Sequence, residues 1–302
     1  MKDINHEMGW IVMKKGILYA FLTAVLFVTL EPVSKLIAGD VNPYAITFWR
    51  FIIGALILLP PAAVKMKKES LHIGLKDLGI MTGLGVLFIC VSMIALQIGV
   101  KTADSPSLIA IIFSSNSIFT ILFAILILRE KLNKNKVIAL IFGVVGVLAC
   151  ADFSSGTNLT SVLYSVLASL SFSLYTVLSQ KFVKKFGGIV QTGIVFLTGS
   201  LVLLVVLLVG GVDIVPTFQR STVAILCYLG FLVTGVGYAC YFKAIEKGGA
   251  IMASLAFFVK PILTPFVTFF INGIVPDLKV FVAVTCIVVA CYFATYSKLP
   301  QK

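Results

Sequence analysis

Apolar residues run through this chain in stretches too long for a soluble core. A helix needs about 20 mostly apolar residues to cross a bilayer. Runs of that order fall at 17–37, 43–62, 78–99, 105–128, 136–151, 161–181, 189–210, 222–245, 250–271 and 279–297, the fifth being the shortest. A transmembrane barrel would instead show ten-residue segments of alternating polarity, and the sequence has none. The pattern predicts an all-α polytopic membrane protein of ten transmembrane helices with short loops.

The pattern also repeats, residue n matching residue n+145. Tyr19 falls on Tyr164, Phe27 on Phe172, Ser34 on Ser179, Thr47 on Thr192, Gly54 on Gly199, Gly85 on Gly230 and Lys134 on Lys279. The offset does not drift, so the copies share loop lengths as well as helices. Five spans is an odd number, so the second copy must enter the membrane from the opposite side. Two inverted five-helix repeats are the architecture of secondary transporters, whose substrate sites lie where the repeats meet. The reading is a cytoplasmic segment over 1–15, a first repeat over 16–151, a second over 160–297 and a cytoplasmic tail over 298–302.

Composition excludes a soluble domain: 60% of residues are hydrophobic, 12% are charged, and the mean hydropathy is +1.10. The net charge of +12 is topogenic rather than a nucleic-acid footprint. Dense basic clusters at Lys14–Lys15, Lys65–Lys68, Arg129–Lys136 and Lys181–Lys185, then Lys247 and Lys298, alternate with sparse loops. The sparse loops hold only Lys101, Arg220 and Lys279, alongside Asp40, Asp104, Asp152 and Asp213. The positive-inside rule then places a multi-pass protein in the cell membrane with both termini cytoplasmic. The first run follows Lys14-Lys15, carries Glu31 and lacks a small-residue cleavage site, so it reads as an uncleaved helix. Six cysteines without a C-x-x-C pair and two histidines, His6 and His72, predict neither disulfides nor a metal, and no cofactor is expected.

Ionisable residues inside apolar runs carry the candidate chemistry. They are Glu31, Lys35, Arg50, Lys243 and Lys260. Each costs about 2.5–3.5 kcal/mol at the centre of a span, so each needs a partner, a route to water or a hydrated cavity. At ~1.5 Å per residue, Glu31 and Arg50 lie at similar depths below the outer surface. They are therefore expected to pair across the first two spans, as a structural lock or as a switch in which Glu31 exchanges Arg50 for a coupling proton or a substrate amine. Lys35 is one turn from Glu31, and Pro32 predicts a kink beside it. Lys260, mid-span and followed by Pro261 and Pro265, is the expected anchor for a substrate anion, or else a partner for Glu31 across the repeats. Lys243, near a helix end, is expected to snorkel. Ser115, Asn116, Trp49, Tyr175 and Tyr238 are the polar wall expected around the substrate. Spans five and ten, with Gly143 and Gly146, read as scaffold or as the face of a homodimer.

The chain resembles the ten-helix EamA branch of the drug/metabolite transporter superfamily over nearly its whole length. The likeness rests on Pro43 with Phe48-Trp49-Arg50-Phe51, Ala95-Leu96 with Ala103-Asp104-Ser105, Leu128-Arg129-Glu130-Lys131-Leu132, and Phe257-Phe258-Val259-Lys260-Pro261. The second copy departs from the first, with Ile274-Val275-Pro276-Asp277 where the span-end glutamate would be. It has Val195 for Arg50, Thr176 for Glu31 and Lys260 for Ser115. The resemblance implies export or exchange of small polar metabolites such as amino acids.

No Walker A loop, H-E-x-x-H, G-x-S-x-G or intramembrane aspartate pair is present, so the chain is not expected to be an enzyme or an ATP-driven pump. The leading expectation is a secondary transporter exporting a small polar metabolite by alternating access. An uncoupled facilitator or exchanger, and a non-transporting membrane scaffold, are the alternatives.

Overall fold

The computed structural model describes residues 2–129, 133–150, 158–215, 219–254, 256–276 and 278–296, with side chains from Lys15 onward except at some positions of the helices at 134–150, 237–254, 256–272 and 278–296. Glu130, Lys131 and Leu132 of the span-four motif, Asp152, Asp277 and the 298–302 tail lie outside the described residues. Every regular element among those described is helical.

The first repeat contains α1 (Lys2–Phe27), α2 (Leu30–Lys35), α3 (Pro43–Lys68), α4 (Leu75–Gly85), α5 (Ile94–Thr102), α6 (Pro106–Ser114), α7 (Asn116–Leu128) and α8 (Lys134–Cys150). The second contains α9 (Leu159–Phe186), α10 (Gly188–Val209), α11 (Arg220–Tyr228), α12 (Gly237–Ser254), α13 (Ala256–Asn272) and α14 (Leu278–Tyr296). π-Helical stretches at Val86–Met93 and Leu229–Val236 join α4 to α5 and α11 to α12.

Seven helical segments among the described residues are long and apolar enough to cross a membrane. They are Lys15–Lys35, Pro43–Lys68, Leu75–Thr102, Pro106–Leu128, Leu159–Phe186, Gly188–Val209 and Arg220–Ala250. The expected spans at 136–151, 250–271 and 279–297 fall on α8, on the end of α12 with α13, and on α14. Val137–Gly146 and Val280–Ala290 are the shorter apolar stretches there.

Local chemistry sets the breaks. Asn42 caps α3 through Oδ1, which accepts from the Tyr44 amide at 2.9 Å, and Pro43 occupies the first turn. Pro32 has no amide hydrogen for the carbonyl four residues back, and helix is interrupted at Val28–Thr29. The Thr29 hydroxyl is bonded there to the Leu26 carbonyl at 2.9 Å and to the Tyr228 hydroxyl at 2.8 Å. A second break falls at Ser115, whose hydroxyl donates to the Ile112 carbonyl at 2.6 Å.

The repeats pack reciprocally. Helix α3 lies on α10, α8 lies on α14, and the contact of α1 with α12 is answered by that of α9 with α5. Individual residues follow the same rule. The Phe51 ring packs edge-on against Phe196, its own n+145 equivalent, at 4.9 Å. The Tyr238 hydroxyl meets the Met93 sulfur, again its equivalent, at 3.4 Å. Thr23 donates to the Gly237 carbonyl at 3.3 Å, while Ser92, the equivalent of Gly237, donates to the carbonyl of Ala168, the equivalent of Thr23, at 2.8 Å. A contact between a residue and its own counterpart is the mark of a two-fold relation. Large apolar side chains cover the outside, among them Leu18, Phe21, Val205, Leu208 and Phe270.

Close approach of α4 to α10 requires glycine on both sides. A Cβ on Gly85 would stand 2.8 Å from the Val195 carbonyl oxygen and 2.9 Å from the Gly199 Cα. Backbone cannot retreat as a flexible side chain can. Gly85→Leu is therefore expected to lower stability by about 1–3 kcal/mol, the usual range for overpacking. Thermal unfolding in detergent should show a clear drop in midpoint for this variant and none for Val64→Ala, whose side chain is exposed.

Candidate functional site

The breaks place the charges. Glu31 sits in the first turn of α2, just past the Val28–Thr29 interruption, and Lys260 sits in the second turn of α13, directly before Pro261. Helix α13 packs on both α1 and α2, which carries the ammonium of one repeat to the carboxylate of the other. Lys260 Nζ donates to Glu31 Oε1 at 2.5 Å, and both side chains are fully buried. The ammonium also lies 5.1 Å from the Phe113 ring centre and 6.0 Å from that of Phe257, within cation–π range.

Arg50 is the third buried charge. Its Nε donates to the Thr234 hydroxyl at 3.2 Å, in the second π-helical stretch, and its guanidinium carbon lies 5.4 Å from the Phe51 ring centre. Nη1 and Nη2 are buried without a hydrogen-bond partner, and so is Glu31 Oε2. Of the two pairings expected for Glu31, with Arg50 across the first two spans or with Lys260 across the repeats, the structure makes the second and not the first. Among the described residues no ion pair joins Glu31 to Arg50, although the two are near enough for their charges to interact. The reason is tertiary: α13 intervenes at the carboxylate, and Thr234 holds the guanidinium.

Aromatic side chains close around the charges. Phe27, Phe51, Phe88, Phe172, Phe196, Tyr238, Tyr241 and Phe257 are all fully buried or nearly so. Tyr175 stacks on Phe88 at 4.3 Å with an interplanar angle of 4°, and Tyr238 meets Phe27 at 4.6 Å. The Tyr241 hydroxyl is 3.2 Å from that of Thr176, the residue standing where the first repeat has Glu31.

Other expected site residues divide. Tyr238 and Tyr175 belong to the aromatic shell. Ser115 hydrogen-bonds the Ser169 hydroxyl at 3.0 Å. The Asn116 amide donates to the Phe113 carbonyl at 2.8 Å, leaving its Oδ1 buried and unpartnered. Trp49 stands apart, its indole nitrogen donating to the Ile214 carbonyl at 2.8 Å and tying α3 to the segment after α10. Lys35 is likewise engaged elsewhere. Its ammonium donates to the carbonyls of Val100 and Lys101, each at 3.2 Å, and of Ala103 at 2.5 Å. A cation there satisfies the unpaired carbonyls at the α5 terminus and complements its dipole. Lys243 reaches a surface cavity of about 450 Å³ lined by Lys15, Tyr19, Lys65, Glu246 and Lys247, lying 5.3 Å from the Tyr19 ring.

The phenylalanine shell is the part that reading by polarity misses. A signal for the shell was nonetheless present. Phe27 with Phe172 and Phe51 with Phe196 are n/n+145 pairs, and large residues kept at equivalent positions face the same interior.

The EamA-like transporter family matches the chain twice, over residues 14–151 and 159–296, and the chain belongs to that family. An uncharacterized transporter of Clostridium kluyveri is 32% identical over 286 residues, covering 92% of each chain. The S-adenosylmethionine uptake transporter of Rickettsia prowazekii is more distant, 24% identical over 170 residues and 56% of each chain. A solved crystal structure, 18% identical, superposes with a TM-score of 0.69 over 94% of this chain and 97% of its own, a likeness of fold alone. The chain is thus a multi-pass membrane protein of a transporter family, not an enzyme.

Removing one member of a buried ion pair strands the other, at a cost of about 3–5 kcal/mol. Glu31→Leu and Lys260→Met are each expected to fall in that range. The double variant Glu31→Leu with Lys260→Met, which leaves no charge behind, should recover most of the loss. A double-mutant cycle on unfolding midpoints in detergent checks this, and additive losses would mean that the pair is not coupled.

Proposed function

We propose that this protein is a secondary transporter that moves a small polar metabolite, an amino acid or a related compound, out of the cell. It works by alternating access about the centre formed by Glu31, Lys260 and Arg50. One observation carries the reading: three charged side chains from both repeats are buried together in an aromatic shell. Such an arrangement is costly as mere structure and useful where a polar solute must cross. Two helices packed around the centre also contain π-helical stretches, a departure found often at functional sites.

The architecture in this proposal is ten membrane helices in two inverted five-helix repeats. The odd number of predicted spans per repeat and the self-equivalent contacts Phe51–Phe196 and Met93–Tyr238 support it. The basic clusters support a cell-membrane location with both termini cytoplasmic. The distant Rickettsia relative is named for uptake of S-adenosylmethionine, which supports a small polar metabolite as the class of solute but neither the outward direction nor a particular charge. Exchange without a coupling proton is the second reading. The direct Lys260–Glu31 bond favours it, because it engages the carboxylate with an ammonium.

Comparing metabolites in the medium of cells that overproduce the protein with those of cells that lack it tests the first reading. A small polar compound should accumulate several-fold with the wild type and not with Lys260→Ala made in equal amount. An unchanged medium across the comparison would refute export. In proteoliposomes, an imposed pH gradient should drive uptake only if Glu31 carries a proton. Glu31→Gln would then abolish gradient dependence and spare exchange, whereas the proton-free reading expects no gradient response in the wild type.

A further inference from the structure

The buried charges do not balance. Among the described residues, Glu31, Arg50 and Lys260 are the charged side chains with no exposure at all. With Lys260 as the ammonium and Glu31 as the carboxylate, the ion pair that their hydrogen bond makes, those two sum to zero. A guanidinium does not give up its proton in a protein. Arg50 therefore leaves the closed centre with one net positive charge, and its Nη1 and Nη2 lack hydrogen-bond partners. Those two nitrogens form the planar fork that holds a carboxylate through parallel hydrogen bonds.

We propose that the centre takes a solute with one net negative charge, borne on a carboxylate held by Arg50, and that the carrier is an exchanger of such monoanions. This rests on the transporter reading above and narrows it. A charge enclosed in an apolar interior is strongly disfavoured unless paired. The centre is neutral when a monoanion occupies it and charged when nothing does, so closure and reorientation are favoured only when it is loaded. A zwitterion brings no net charge and leaves the imbalance in place, and a cation worsens it. Simple monocarboxylates and acidic amino acids satisfy the requirement; neutral amino acids do not. One monoanion leaving for each one entering moves no net charge across the membrane.

Binding and exchange are tested separately on the full chain. In detergent, pyruvate or L-glutamate should raise the unfolding midpoint of the wild type, raise that of Arg50→Lys less, since it keeps the charge but loses the fork, and leave that of Arg50→Gln unchanged. L-Alanine, L-serine, L-lysine and chloride should raise none of them. In proteoliposomes, labelled pyruvate or L-glutamate should enter vesicles preloaded with the same anion at least about tenfold faster than empty ones, the effect of one unpaired buried charge. The rate should be equal with and without a potassium diffusion potential. In Arg50→Gln the ratio of exchange to net entry should fall toward unity.

Stabilisation by chloride with carboxylates inert, or no stabilisation by any probe, overturns the assignment of Arg50. Net entry as fast as exchange in the wild type, or zwitterions moving as readily as monoanions, overturns the exchange inference while leaving a transporter standing. If no probe moves under any loading and the medium comparison is also flat, the failure lies with the transport reading, and exchange falls with it.

Discussion

A carboxylate, an ammonium and a guanidinium enclosed in apolar surroundings constrain everything near them. All three side chains are fully buried, so each polar atom left without a partner carries a desolvation cost. Lys260 and Glu31 offset that cost for each other, and the Phe113 and Phe257 rings add the negative faces that a cation prefers. Arg50 offsets it in part, through Thr234 and the face of Phe51. Proline lies beside both members of the pair, Pro32 next to Glu31 just past the break at Val28–Thr29 and Pro261 next to Lys260 inside the unbroken α13. Proline there frees backbone carbonyls beside the side chains that carry the chemistry. The Thr264 hydroxyl occupies one carbonyl nearby, that of Lys260, at 2.7 Å.

Symmetry supplies the frame and asymmetry supplies the chemistry. Phe51 with Phe196 and Met93 with Tyr238 meet as equivalents, and the Thr23–Gly237 bond has its answer in Ser92–Ala168. The charged positions break the rule, because Glu31, Arg50 and Lys260 stand opposite Thr176, Val195 and Ser115. Thr176 and Ser115 make hydroxyl–hydroxyl bonds at their own stations, and such uncharged groups can be buried at far lower cost than ions. One duplicated scaffold therefore holds a centre whose charge comes from α2 and α3 of the first repeat and α13 of the second.

Close packing makes the interior a fixed shape. Glycines at 85 and 199 bring α4 and α10 into backbone contact, and Gly188 lies against the Phe242 backbone of α12. Apolar attraction between helices is weak in lipid, so small residues that let backbones approach carry much of the association. The aromatic shell is held between these contacts, and its rings touch one another edge-on more often than face-on, Tyr175 on Phe88 being the stacked exception.

The sequence by itself determined the membrane class, the helical architecture, the duplication and five candidate charges, of which Glu31, Arg50 and Lys260 are the fully buried ones. Hydrophobic length and an offset of 145 residues are properties of the chain read along one dimension. It also located Glu31 beside a proline break and Lys260 deep in a span. The partners were decided only by tertiary structure. Depth along a helix is readable, but which face meets which neighbour is not, so the equal depths of Glu31 and Arg50 suggested a pair where packing of α13 gave Lys260 instead. Lys35 and Trp49 show the same limit: a residue near the centre in sequence spent its hydrogen bonds on α5 and on the segment after α10. The aromatic shell was hidden for a related reason, since a phenylalanine in a span looks the same whether it faces lipid or encloses a charge.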